Sequence, residues 1–229
     1  NGTLVTKTLQ IQEKTVINGN LNLSGSAKLD LNHQLLHLKG EGTLIQNGGV
    51  VELNGGGLII DKDYSIAGNG ILDMRQGGAI KVGGDFSTQS TYPHAGTTNY
   101  LSDGTMTVNG NFSQIKGSNG QTQNFRTTGT HKVILSGDNA QTVTFQHPNS
   151  SFQLLEVAGN TNSAVTFDGS FGIAQIKTNE RKIIFNGTLV TKTLQIQEKT
   201  VINGNLNLSG SAKLDLNDQL LHLKGEGTL

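Results

Sequence analysis

Three aspartates in two consecutive turns come nearest to catalytic chemistry in this sequence. Asp61 and Asp63 flank Lys62 in one turn, and Asp85 occupies the matching turn of the next segment. A glycoside hydrolase needs two carboxyl groups about 5–10 Å apart, one acting as an acid and the other as a base or nucleophile. Carboxylates alternating with a lysine are more typical of a solvated corner. We therefore predict no catalytic residue, and no enzyme.

The remaining reactive side chains do not form a recognisable catalytic or metal-binding motif. The chain has no cysteine, so thiolate sites and disulfides are excluded. His33 and His37 alone have the spacing of a ligand pair, and Asp218 replaces the first of them in a second copy of the surrounding sequence. Phosphate-binding loops and zinc-protease motifs are missing from the sequence. We predict neither a metal nor a cofactor.

Two polar segments, 87–100 and 116–130, interrupt an otherwise regular pattern. Both contain aromatic or basic residues, and loops on a rigid scaffold are common places for binding. The candidate binding residues are Tyr92, His94, Tyr100, Phe125 and Arg126. A glycan is the first hypothesis for a ligand, because aromatic faces can stack on sugar rings. The alternative is that these are surface loops whose aromatic residues pack against the scaffold.

The composition limits the classes of partner. The 229 residues carry no net charge and only 15% of them are charged, whereas a nucleic-acid binder shows a basic excess or stripe. No apolar run approaches the ~20 residues that span a membrane, so we predict no membrane insertion. The sequence begins directly with a strand-like pattern, and we interpret it as an excerpt whose targeting signals lie elsewhere.

A long internal repeat sets the domain organisation. Residues 1–44 and 186–229 are identical at 43 of 44 positions, and they differ only at His33 and Asp218. We predict one continuous domain over residues 1–229, in which 1–185 is a full repeat unit and 186–229 begins the next. Near-identity indicates recent duplication, a simple way to lengthen a spacer, and the neighbouring units are the predicted partners of this segment.

A shorter period of about 21 residues predicts the fold. Strands with alternating apolar residues end in small polar turns, and three such corners recur in each period. This pattern predicts an all-β, single-stranded parallel β-helix with three short strands per coil and about ten coils, eight of them in each unit. The predicted inward pairs are Leu36/Leu38, Leu58/Ile60, Ile80/Val82, Met106/Val108, Val143/Phe145, Val165/Phe167 and Ile183/Phe185.

Stacked coils bring like residues into columns. We expect Phe145, Phe167 and Phe185 to form an aromatic column inside. An outward column of Thr107, Thr144 and Thr166 would give weak support to an ice-binding surface. Asparagines in the turns are expected to form ladders along the solenoid.

One family resemblance follows from the stretches 129–138, 141–145 and 151–157 and the turns at 82–86 and 108–112. These residues resemble repeats of very large surface proteins of Gram-positive bacteria, and more broadly the stalks of filamentous-haemagglutinin-like adhesins. The resemblance implies an extracellular, cell-surface location and a stalk that projects a distal domain, through which host glycans or proteins would bind. The alternative function is a carbohydrate-binding or carbohydrate-processing β-helix that uses the 87–100 and 116–130 segments.

Overall fold

The chain folds into a parallel β-solenoid. The computed structural model describes residues 7–94, 99–178, 181–186, 188–189, 193–196, 200–203, 206, 213–216, 218 and 220–224, and it has no helix among them. The strands are β1 Thr8–Gln10, β2 Thr15–Asn18, β3 Leu21–Asp30, β4 Leu35–Lys39, β5 Leu44–Glu52, β6 Gly57–Ile60, β7 Tyr64–Ile66, β8 Ile71–Asp73, β9 Ala79–Val82, β10 Phe86–Thr88, β11 Thr105–Val108, β12 Phe112–Gln114, β13 Lys132–Leu135, β14 Gln141–Phe145, β15 Ser151–Val157, β16 Ala164–Thr178, β17 Lys182–Phe185, β18 Thr188–Leu189, β19 Thr193–Ile196, β20 Thr200–Asn203, β21 Lys213–Asp215 and β22 Leu221–Lys224. The predicted fold class is confirmed.

Three parallel ladders form the three sides of the coil. Ladder I contains β2, β4, β6, β9, β11, β13, the end of β15, the end of β16, β19 and β21. Ladder II contains the start of β3, the start of β5, β7, β10, β12, β14, the start of β16, β17, β20 and β22. Ladder III starts with β1, the end of β3, the end of β5 and β8, and it continues to β18.

The predicted inward-facing residues are all buried. Each of the seven pairs from Leu36/Leu38 to Ile183/Phe185 has both side chains in the core, with at most 2% of each exposed. The residue between each pair is only partly buried or, at Lys81, exposed. Alternation with a period of two therefore identified the buried face in every coil where it was applied.

The predicted columns are wrong at one step. Val108 pairs with Leu135 on ladder I, whereas Val143 pairs with Phe112 on ladder II. If the seven inward pairs stacked in chain order, the column would pass from Val108 to Phe145 and so cross from one side of the coil to another. The outward threonine column fails for the same reason, because Thr107 lies on ladder I while the other two threonines lie on ladder II.

The aromatic residues form a longer stack than the three phenylalanines predicted. Rings follow one another along the inside of ladder II from Tyr64 through Phe86 to Phe112, with centroids 5.0–5.5 Å apart. Phe145 stacks on Phe112 rather than on Phe167, while Phe167 and Phe185 are adjacent as predicted. Close ring pairs add to burial, so this stack stabilises the middle of the rod.

The strands turn some corners without leaving the sheet. In β5 the chain passes from ladder II to ladder III at Gly48 and Gly49, and the φ angle of Gly49 is 70°. A Cβ atom at Gly49 would collide with the backbone oxygen of Ala27 in the coil beneath. Glycine is required here both by the left-handed backbone and by the close approach of two coils.

The second copy of the repeat is rotated about the solenoid axis relative to the first, by one of the three sides of the coil. In the first copy, β1 lies on ladder III and β2 on ladder I. Their identical counterparts β19 and β20 lie on ladder I and ladder II. Ladder III advances by eight coils from β1 to β18, and β19 follows one strand later, so a unit contains eight and one-third coils. The unit is therefore one-third of a coil longer than the predicted eight.

Candidate functional site

The two interrupting segments lie side by side on the corner between ladders II and III. We call this corner, made of residues 89–94, 99–100, 115–124 and 146–150, the loop corner. Its layers are joined by hydrogen bonds: the amide of His94 donates to the carbonyl of Gln123, and the Asn119 side chain donates to the carbonyl of Thr91. Residues 95–98 of the first segment lie outside the described residues. The loop corner is therefore a stacked part of the solenoid.

Buried amides hold the loop corner together. Asn124 donates to the carbonyls of Ser90 and Ile115, at 3.0 and 2.7 Å, and it accepts a hydrogen bond from Gln114. The side chains of Asn124 and Gln114 are at most 1% exposed. Because buried polar groups are costly unless they are paired, this network fixes the course of both loops.

Two of the predicted binding residues form a surface cluster with an ion pair. The Tyr92 and Tyr100 rings lie 5.7 Å apart, and the guanidinium of Arg75 covers the Tyr100 ring at 4.3 Å. Arg75 also bonds the carboxylate of Asp73 through two nitrogens, at 2.6 and 3.0 Å. A hydrogen bond with Tyr92 raises the pKa of the Tyr100 hydroxyl. We call these four residues the tyrosine cluster.

Two other candidates are not at the surface. Phe125 is 1% exposed and packs against Phe112 and Phe86, while His94 is 2% exposed beneath Tyr100. Neither side chain is therefore exposed at the surface. The 116–130 segment returns to ladder III at Phe125, so this ring packs against the scaffold. Arg126 is exposed, and its backbone forms a bridge with Ser151.

A second buried histidine lies close to His94. His131 is fully buried, and its Nδ1–H donates to the carbonyl of Asp103 at 2.7 Å. His94 Nδ1 and His131 Nε2 are buried without a hydrogen-bond partner. Burial lowers the pKa of both imidazoles to about 4, and the charge of His131 contributes to the shift of His94. Both rings are therefore neutral at pH 7.

We predict that acid weakens the fold around these two imidazoles. Unfolding returns each ring to a pKa near 6.5, so between about pH 4 and 6.5 the unfolded chain binds more protons and stability falls as pH falls. From pH 6.5 to 5 the expected loss is on the order of 2 kcal/mol for each ring. Urea unfolding at pH 7.5, 6 and 5 measures this loss in the free energy of unfolding.

Substituted chains separate this effect from general acid sensitivity. With His94→Gln and His131→Gln together, the slope of stability against pH over this range should nearly vanish. His33→Asp is the matched control, because His33 is exposed and the second copy already carries Asp218 there. The pKa values of Asp61 and Asp103 lie below their usual 3.8, so the stability from these carboxylates is lost only at lower pH. An unchanged slope in the double variant contradicts the prediction.

The three aspartates weighed as catalytic groups bond to neighbouring coils. Asp63 accepts from the amide of Asp85 at 2.7 Å, and Asp85 accepts from the amide of Asn111 at 2.6 Å. Asp61 binds His37 Nε2 and the Gly40 amide, both at 2.7 Å, and the His37 hydrogen bond lowers its pKa. A general acid needs a raised pKa, so Asp61 is poorly suited to that role.

The aspartates belong to a column of polar turn residues. Asn20 and Asn111 use their side-chain oxygens in the same way, accepting from the amides of Thr43 and Thr142 one coil further on. The predicted asparagine ladder is thus a mixed column of Asn and Asp that bonds to backbone amides. Asp63 and Asp85 line a shallow depression of about 380 Å³ whose floor includes Ser65, Ser87 and Ser113.

A buried arginine was missed by the sequence analysis. Arg181 lies on the corner between ladders I and II, and it is 1% exposed. Its guanidinium donates to the side chain of Gln141 and to the carbonyls of Asn139 and Ala158, at 2.6–2.8 Å, and to Ser163 Oγ at 2.9 Å. Burial lowers the pKa of the guanidinium. One side chain therefore joins three successive turns.

No protein-family model, curated protein or solved structure matches this chain. Within the described ranges, no three of the side chains that could bind a metal come together. The same part of the chain also contains no helix of the length and hydropathy needed to cross a membrane.

Proposed function

We propose that this chain is a segment of a rigid spacer, which holds a distal domain away from the surface of a bacterial cell. The observation that carries the proposal is the continuity of two parallel ladders, from β2 to β21 and from the start of β3 to β22, across the boundary between two copies of the repeat. Duplicating a unit of this kind lengthens the solenoid without requiring a new type of junction.

The interior supports the same function. The inward-facing apolar residues form one core cluster that runs from Ile11 to Leu206. Polar groups in the corners are bonded to the next coil, as in the Asn124 network and the Arg181 cluster. Each coil is thus tied to its neighbours on every side, which suits a stiff element. The location at the surface of a Gram-positive cell is proposed from the sequence resemblance.

The carbohydrate alternative rests on the tyrosine cluster. Tyr92 and Tyr100 are partly exposed beside Asp73 and Arg75, the residue types that bind sugars. Arg75 covers one face of Tyr100, and Phe125 and His94 lie in the interior. Fewer aromatic faces are therefore open to a sugar ring than the sequence suggested, and the spacer is the better supported function.

The rotation by one side of the coil between successive copies determines which way the surface of each unit faces along the proposed spacer. Each added unit places its loop corner one side further around the coil, so three successive units would present their tyrosine clusters on three different sides. A spacer decorated in this way has no single adhesive face along its length. Its contacts with a surface would come from its end.

Scattering from chains of one, two and three joined units tests the spacer. We expect the maximum dimension to rise by about 40 Å per unit, from eight and one-third coils at about 4.8 Å each, with an unchanged cross-section. Units that carry Val165→Asp are the matched control and should give shorter, more flexible particles. A rise of less than half this value, or a growing cross-section, contradicts a rigid spacer.

A further inference from the structure

The outer face of ladder II contains a trough whose floor is a column of serines. Ser65, Ser87 and Ser113 are paired in register on three consecutive coils. The same column continues to Ile45 at one end and to Thr144 at the other, and both of these are bulkier, β-branched residues. The short serines between them leave a depression of about 380 Å³, which we call the serine trough.

Two carboxylates stand beside the serines and are held in place by the backbone. Asp63 and Asp85 each use Oδ1 to accept the amide of a residue one coil further on, at 2.7 and 2.6 Å. Within the described part of the chain, their Oδ2 atoms and the three serine hydroxyls form no hydrogen bond to the protein. These five polar groups therefore surround one depression on a rigid sheet, and little ordering is needed before they bind a ligand.

We propose that the serine trough binds a short stretch of a neutral polysaccharide in an extended conformation. Serine hydroxyls donate and accept hydrogen bonds and carboxylates accept them, which complements sugar hydroxyls that do both. Among the described residues that line the trough, the charged ones are Asp63 and Asp85, so an acidic sugar would be repelled. The polar groups of the site therefore select the ligand by its hydroxyls and by its lack of negative charge.

The shape of the trough also limits the ligand. Its volume lies at the lower end of the range of about 300–1,000 Å³ that is usual for small-molecule sites. The serines follow a straight column of coils, about 10 Å from the first to the last. An extended chain can place successive sugar rings along this column, whereas a helical chain curves away from it. We therefore expect the trough to hold about two or three sugar rings.

The serine trough is distinct from the tyrosine cluster and goes beyond the spacer function. The trough lies on the flat outer face of ladder II, whereas the tyrosine cluster belongs to the loop corner. Because successive units would be rotated by one side of the coil, their troughs would face different sides of the rod. A flexible polymer chain can reach all of them, and a flat surface cannot. The ligand is therefore a polymer around the rod.

Titration of the full 229-residue chain with cellotetraose, a neutral and extended glucan, tests the site. Amide shifts measured by NMR should centre on Ser65, Ser87 and Ser113 and saturate with a Kd on the order of 1 mM. Maltotetraose contains the same sugar in a curved chain, and tetragalacturonate is acidic. Each should bind at least about fivefold more weakly than cellotetraose.

Asp63→Asn together with Asp85→Asn separates charge from shape. Asn20 and Asn111 already accept an amide of the next coil through their side chains in this same column, so the coils should stay bonded. Tetragalacturonate should then bind at least about fivefold more tightly than it binds the natural chain. Cellotetraose should bind more weakly, because hydrogen bonds to a charged acceptor are about twice as strong as those to a neutral one.

Ser65→Val together with Ser87→Val fills the floor and removes two hydroxyls, and valine is a favoured strand residue. Binding of cellotetraose should weaken at least about tenfold, with an unchanged melting temperature as the check on folding. Thr105→Val together with Thr107→Val is the matched control on the outer face of ladder I and should leave the Kd unchanged.

Four results would overturn the proposal. They are equal Kd values for the two valine variants, equal affinity for the three glycans, amide shifts centred on the tyrosine cluster, and no saturable shift up to about 20 mM cellotetraose. If the serine-to-valine variant does not fold, the asparagine variant still tests the site through the change in glycan preference. None of these measurements depends on the length of the rod, so the spacer and the glycan site can fail independently.

Discussion

Val165→Asp is expected to unfold the C-terminal part of the solenoid. Val165 is fully buried on ladder II between Gln141 and Ile183. The side chain of Gln141, at the paired position, already donates to the carbonyls of Val108 and Gly110 and accepts from Arg181. A carboxylate at 165 would have to break this network or stay buried without a partner, and a buried unpaired charge costs more than about 4 kcal/mol. Coils in a solenoid interact mainly with their neighbours, so β16 and the strands after it should detach before the strands up to β13.

Thermal unfolding followed by circular dichroism, with hydrogen exchange by segment, measures this effect. Lys81→Thr is the matched substitution on an outward position, where threonine already occurs one coil later at Thr107. It should change the free energy of unfolding by less than about 0.5 kcal/mol. Val165→Ala should fall between the two, at about 1–3 kcal/mol, because it removes volume without adding charge. Equal stability of the Asp and Thr variants contradicts the assignment of faces.

The sequence was sufficient to predict the fold because the same pattern of alternating apolar residues and polar turns recurs in every coil. Alternating apolar residues identified the inward face at each of the seven tested strands, and small polar turns marked the corners. His33 and Asp218, the one difference between the copies, both have the positive φ angles of left-handed backbone and lie in turns. Such local rules need no knowledge of which strand lies above which.

Stacking was harder to predict, and the error began at the 116–130 segment. Val133/Leu135 and Val143/Phe145 are both alternating apolar pairs, and either could have followed Val108. The pattern records only which way a side chain points. The side of the coil is set by the number of corners passed. The 116–130 insertion contains the buried Phe125 and a bridge at Arg126, so it adds a corner although its sequence is that of a loop.

Hydrophobic patterns do not identify the hydrogen-bond partners of the polar side chains in the interior. Gln46 occupies an inward position next to Leu44, and alternation does place it inside. Its partners are the hydroxyl of Tyr64 and the carbonyl of Ile71, which only the stacked coils bring together. The burial of His131 was also missed, because a polar residue that follows a turn with glycine is normally expected to be exposed. These side chains are buried because the corners, unlike the strands, expose backbone carbonyls that need donors.

Arg181→Met is expected to destabilise the junction between the two copies by at least about 3 kcal/mol. Methionine keeps much of the apolar stem but leaves the acceptors in the two turns at 139–141 and 158–163 without their donor. The loss is local, since Arg181 precedes β17, on which β20 of the second copy stacks. Hydrogen exchange should therefore accelerate in β17 and β20 while β6 and β9 stay protected.

Two further substitutions show whether charge, donors or volume is responsible. Arg181→Lys keeps the charge but offers a compact ammonium in place of a planar group with five donors, so it should recover about half of the loss. Arg126→Met makes the same chemical change at an exposed site just after the loop corner and should be nearly neutral. If Arg181→Met and Arg126→Met have the same urea midpoint, the guanidinium does not hold the three turns together. The tight junction would then depend on strand pairing alone, and the stiffness of a tandem array would have to come from its ladders.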